Sequence, residues 1–127
     1  MKRNVIILML IGFVVLVFNG CATTDSGSPT HGELEGKKVT VSTGDYFEAC
    51  DLFSPGTTVE YSFTSTKPVL FNIHYHKKRS KEYAVEEHMT DNASGTFVVD
   101  TKATYCSMWD NKNPKAIKMT YGMRVKK

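Results

Sequence analysis

The stretch Val69-Leu70-Phe71-Asn72-Ile73-His74-Tyr75-His76 decides the reading of this chain. Val69, Phe71, Ile73 and Tyr75 alternate with Leu70, Asn72, His74 and His76. Successive side chains of a strand point to opposite sides, so a period of two makes one apolar and one mostly polar face. The same period recurs on both sides of this stretch. Upstream it runs through Val39 and Val41, and through Val59, Tyr61 and Phe63. Downstream it runs through Tyr83 and Val85, through Phe97 and Val99, and from Ile117 through Met119, Tyr121 and Met123 to Val125.

Turn-forming residues punctuate these runs: Thr43-Gly44-Asp45, Ser54-Pro55-Gly56, Thr66-Lys67-Pro68, Asp91 to Gly95, and Asp110 to Pro114. Glycine supplies positive φ, proline a fixed φ, and Asn or Asp a side-chain turn. No helical stripe follows residue 36, and no repeat is present. About seven or eight short strands with regular turn signals predict an all-β fold, an antiparallel β-sandwich of the immunoglobulin-like kind, over 37–127.

The N-terminus reads differently. Lys2 and Arg3 precede an uncharged apolar run of 14 residues, Val5 to Phe18, and then Asn19-Gly20-Cys21. A permanent membrane span needs roughly 20 apolar residues, so a secretory signal fits this run better. The segment resembles a bacterial lipobox, with Gly20 in the expected place and with Phe18 and Asn19 departing from the common pattern. The resemblance implies a signal peptide over 1–20, a Cys21 that carries lipid, and anchorage outside the cytoplasm. In a Gram-negative host, Ala22 rather than Asp favours the outer membrane, facing the periplasm.

Residues 22–36 hold hardly an apolar side chain and read as a flexible tether. The chain has 16 basic and 13 acidic residues; losing Lys2 and Arg3 with a signal leaves a net charge of +1. That balance offers no electrostatic footprint for nucleic acid. With Cys21 assigned to lipid, Cys50 and Cys106 form an even pair in an oxidising compartment, either as a disulfide or as two buried thiols.

The segment Tyr105-Cys106-Ser107-Met108-Trp109-Asp110-Asn111, followed by Ile117 to Tyr121, resembles the C-terminal part of a GOLD (Golgi dynamics) domain. Gly56, the Val69–Tyr75 strand and Gly95-Thr96-Phe97 extend the similarity over roughly 48–125. The cysteine stands three residues before Trp109, which departs from the family pattern. The resemblance implies a β-sandwich interaction module that is not an enzyme, and some members join the start of the domain to the Tyr strand by a disulfide, as Cys50 to Cys106 would.

His74 and His76 share a strand face at a spacing from which two imidazoles reach one metal ion. His88 completes a candidate set for copper or zinc if strands 69–76 and 82–88 pair as a hairpin, with Met89 or Met108 as a soft ligand. The simpler alternative is a solvated sheet face, with no cofactor. Lys77, Lys78, Arg79 and Lys81 read as a basic hairpin turn, exposed or in contact with anionic headgroups. Trp109 and Tyr105 are core residues or a ligand platform. Asp45, Glu48 and Asp51 crowd one loop without a nucleophile, and no catalytic motif is present. The expected function is a non-catalytic binding module of the cell envelope, tied to the membrane by its lipid and binding an envelope protein or surface ligand. The alternative is a periplasmic copper or zinc protein.

Overall fold

The computed structural model describes residues 36–126. Cys21, the signal-like segment 1–20 and nearly all of the tether lie outside the described residues. Among those described, there are six strands and no helix: β1 (Lys37–Val41), β2 (Tyr46–Phe53), β3 (Thr58–Lys77), β4 (Ser80–Val98), β5 (Ala103–Asp110) and β6 (Ile117–Val125). All pairings are antiparallel, in the order β1-β6-β3-β5-β2, with β4 also on β3.

β3 organises the sheet. One of its edges pairs with β4 along nearly its whole length. The other edge pairs with β6 from Val59 to Ser65 and with β5 from Leu70 to Tyr75. A straight strand of 20 residues would span about 66 Å at ~3.3 Å per residue, far more than the width of a domain of this size. β3 therefore bends, and the sheet curls over its own apolar face.

The count of strands differs from the seven or eight expected, and the bend explains why. Thr66-Lys67-Pro68 does not end a strand. It lies inside β3, where pairing with β4 shifts register between Thr64 and Val69. Pro68 lacks an N–H and is tolerated where the ladder is already interrupted. Asp91 to Gly95 likewise lies within β4. The other turn signals do close turns: Asp45 N–H donates to Ser42 O, Thr57 N–H donates to Ser54 O, and Gly44 and Gly56 take positive φ. The strand unforeseen in the sequence is β2. Glu48 and Asp51 are not in a loop but on this strand, three residues apart and so on opposite faces.

The apolar face of 69–76 is the inner one. Val59, Phe63, Val69, Phe71, Ile73, Tyr105, Trp109, Ile117 and Met119 are buried. Aromatic rings join the two halves of the curl: Tyr61 lies 5.8 Å from Phe71, Phe63 meets Trp109 edge-on at 5.8 Å, and Tyr121 lies 5.0 Å from Trp109. Such ring pairs add roughly 0.5–1.5 kcal/mol each beyond the area they bury. Trp109 and Tyr105 are 3% and 1% exposed, so the ligand-platform reading is corrected: neither ring offers a face to solvent.

Asn111 ties the β5–β6 loop to the β1–β2 turn. Its buried amide donates to the carbonyls of Val41, Ser42 and Lys115, and its oxygen accepts from Asn113. Tyr105 donates its hydroxyl to the carbonyl of Thr101, four residues earlier, and fixes the turn into β5.

Candidate functional site

The site lies on the outer face of the half built from β2, β5, β3 and the start of β4. Residues directly opposite across paired strands share a face. Cys50 faces Cys106, Cys106 faces His74, and His74 faces Tyr83, which gives one transverse row over four strands. The next row runs from Glu48 through Met108 to Asn72.

Asn72 is fully buried and His74 is 3% exposed, although both point away from the core. Their hydrogen bonds explain how polar groups sit there without penalty. The Asn72 amide donates from Nδ2 to the Glu87 carboxylate at 3.1 Å, which turns Oδ1 toward His74. An amide oxygen only accepts, so His74 Nδ1 carries the proton of their 2.8 Å bond. In the neutral ring, the lone pair is then on Nε2.

Burial pushes the His74 imidazole below its ordinary titration range, nearby Lys81 pushes it further, and Glu48 opposes both. The ring is neutral at pH 7. Its Nε2 lies 3.7 Å from Oε1 of Glu48, beyond hydrogen-bond reach. A lone pair and a carboxylate oxygen thus face each other across a gap that suits a cation.

Cys50 and Cys106 form a disulfide, as the pairing of cysteines suggested. They sit directly opposite on β2 and β5 with Cα atoms 4.1 Å apart, the close spacing of a pair without ladder hydrogen bonds. The bridge joins positions 56 residues apart, for which chain entropy gives roughly 4 kcal/mol. Cys50 is exposed and Cys106 half-buried. The Glu48 carboxylate and the two sulfurs lie within 4.8 Å of one another.

The three-histidine set is corrected in one member. His76 stays beside His74, with ring centroids 5.4 Å apart. His88 does not join them. Four residues of β3, Phe71–His74, face six of β4, Tyr83–His88. The two extra residues reverse the alternation twice and so cancel, and because Tyr83 is itself on the outer face, His88 five residues later falls on the inner one. His88 consequently shares the face of Phe71, with its ring edge-on at 5.7 Å and its Nδ1 donating to the Glu86 carbonyl. Met89 is opposite Leu70, away from the histidine row, whereas Met108 adjoins it. Lys77, Lys78, Arg79 and Lys81 are exposed at the β3–β4 hairpin tip, where Lys78 takes φ 58°.

Sequence reasoning missed Glu48 and Asn72 as members of this cluster. Asn72 had a usable signal, since it lies at i−2 from His74 on the same strand face. Glu48 had none, because only the pairing of β2 with β5 brings it there. An open hollow of about 390 Å³ lies on the other half, lined by Lys38, Thr40, Thr64, Thr66, Lys118 and Thr120 among others.

No protein-family model matches the chain, and no curated protein does. Among solved structures, it is similar to the solution NMR structure of a de novo designed double-stranded β-helix: 19% identity, 70% of this chain and 97% of that chain covered, and a TM-score of 0.38.

Proposed function

We propose that the mature chain is a non-catalytic binding module of the bacterial cell envelope, anchored through lipid on Cys21 and tethered by residues 22–36. Its address is the outer membrane, facing the periplasm. Its domain is a GOLD-like β-sandwich. Counting the two halves of β3 and β4 separately yields two layers of four segments, and this supports the sandwich reading. The tyrosine bonded back to the backbone before β5 supports it as well.

The observation that carries the binding role is the group of exposed apolar residues on this outer face, beside the exposed Glu48 and the buried Asn72–His74 pair. Tyr46 and Leu52 are 57% and 61% exposed on the same face of β2, and Tyr83 stands across from His74. Rigid strands hold these groups, and aromatic side chains around a polar centre suit recognition of an envelope protein or surface ligand. Cys50 and Cys106 are bonded to each other, so in this form neither sulfur is a free thiolate nucleophile.

A photo-crosslinking residue at Leu52 in living cells tests this reading. One discrete adduct is expected, lost when Tyr83 is replaced by Ala. An adduct pattern shared with a probe at Lys126, on the chain's last described residue, defeats it. Labelled fatty acid incorporated by the wild type and absent from Cys21→Ser tests the anchor.

A further inference from the structure

We propose that Cys50, Cys106, His74 and Glu48 form a redox-gated site for one zinc-class divalent ion, closed in the disulfide form and opened by a dithiol reductant. The proposal rests on the reading of this face as the working face, but not on any partner bound there.

The geometry supplies four ligands of the right kinds. A tetrahedral ion with bonds of ~2.0–2.3 Å holds its ligand atoms about 3.3–3.8 Å apart. His74 Nε2 and Glu48 Oε1 already stand 3.7 Å apart. The Glu48 carboxylate also lies within 4.8 Å of both sulfurs, and these separate once their bond is broken. Cys50, Cys106 and His74 occupy one row over three adjacent strands, with Cys106 in the middle; the Glu48 carboxylate lies near both the sulfurs and the imidazole, and His74 reaches a shared ion by moving its side chain. Two thiolates, an imidazole and a carboxylate suit zinc in preference to calcium or magnesium.

The surroundings fit a metal-binding histidine. Such a ring typically donates its other N–H to a fixed acceptor, which orients the lone pair toward the metal. Asn72 is that acceptor for His74, and Glu87 fixes Asn72 in turn. His76 is exposed beside His74.

The redox step balances. A thiolate of an external dithiol attacks the exposed Cys50 sulfur, and Cys106 leaves as a thiolate. The second thiol of the reductant, as thiolate, attacks its own sulfur in the mixed disulfide and releases Cys50 as a thiolate. Two electrons pass to the protein, and the reductant becomes a disulfide. The two protein thiolates take up protons as solution pH dictates, and zinc binding releases those protons again. The exposure of Cys50 makes the attack sterically open.

The test titrates the full chain in detergent with Zn(II) against a chromophoric chelator, oxidised and after reduction. The reduced chain should bind one zinc at least about 100-fold more tightly than the oxidised chain. In the reduced form, His74→Ala and Glu48→Gln should each weaken binding about 10-fold or more, and Lys126→Ala should leave it unchanged. Equal affinity in the two redox forms, or no effect of His74→Ala, overturns the proposal. If reduction alone unfolds the domain, zinc must restore the strand signal in circular dichroism; failure to restore it also overturns the proposal. Crosslinking at Leu52 is read on the oxidised chain, so loss of the partner reading and loss of the metal site are separately visible.

Discussion

Asn72 Oδ1 accepts the Nδ1 proton of His74 at 2.8 Å, on the side of the sheet turned away from the core. The pair is buried, so neither group can exchange its partner for water at no cost. Replacing Asn72 with Leu keeps the volume but strands the imidazole N–H. Loss of a buried partner costs about 1–3 kcal/mol. The urea midpoint should fall accordingly, with an unchanged slope. A midpoint equal to that of the wild type would show that the bond contributes nothing.

Asn111 is expected to be the more costly asparagine. Three backbone carbonyls, from the end of β1, the β1–β2 turn and the β5–β6 loop, converge on its amide. Asn111→Ala leaves them without that donor and detaches the β5–β6 loop from the β1–β2 turn. About 2–4 kcal/mol is expected from the buried-group cost. Asn92→Ala, at an exposed position, should stay within about 0.5 kcal/mol. Equal thermal melts for the two variants would contradict this ranking.

Gly95 lies opposite Tyr61 on the neighbouring strand, and the ring covers the glycine. A Cβ built there would stand 2.9 Å from the Tyr61 hydroxyl oxygen and 3.1 Å from Cζ. Gly95→Ala should therefore destabilise by about 1–3 kcal/mol through overpacking. The cost should shrink in a Tyr61→Ala background, because the clashing ring is gone. Additive effects in the double-mutant cycle would rule out the clash.

Four tyrosines, Tyr61, Tyr75, Tyr105 and Tyr121, titrate above the ordinary value of 10, each chiefly through burial. Asp100 adds to the shift at Tyr75 and Tyr105, and Asp51 adds to it at Tyr121. Above pH 10, the unfolded chain has lost phenolic protons that the folded chain still holds. Stability from these groups is full below that pH and falls as pH rises through the folded-state values. Thermal melts from pH 8 to pH 11.5 should show this decline, and Tyr105→Phe should make it shallower. A slope unchanged by that substitution would remove Tyr105 from the account.

Some elements of the site were legible in the chain. The alternation from Val69 to His76 placed Phe71, Ile73 and Tyr75 inward and His74 outward, and both placements hold because that stretch of β3 keeps its own alternation. The pairing of Cys50 with Cys106 was legible as one of two readings, once Cys21 was set aside for lipid and the remaining two stood as an even pair. His88 was misplaced because the extra residues lie in β4, where Tyr83 and Val85 end up on opposite faces despite their i, i+2 spacing. β2 was missed because its outer face carries Tyr46 and Leu52, and its inner face carries Asp51, so neither face reads as apolar or polar.

By itself, the sequence determined the all-β class, the side taken by each residue of an unbroken strand, the glycine turns and the pair of cysteines available for a bridge. These are local properties, written in a period of two and in the φ preferences of single residues. Only the tertiary structure decided that Pro68 bends a strand without ending it, that Trp109 is enclosed, and that Glu48 meets His74 and the disulfide. Those outcomes depend on which strand pairs with which and on where one strand carries an extra residue. Both are settled by burying a shared apolar face, which no single segment encodes.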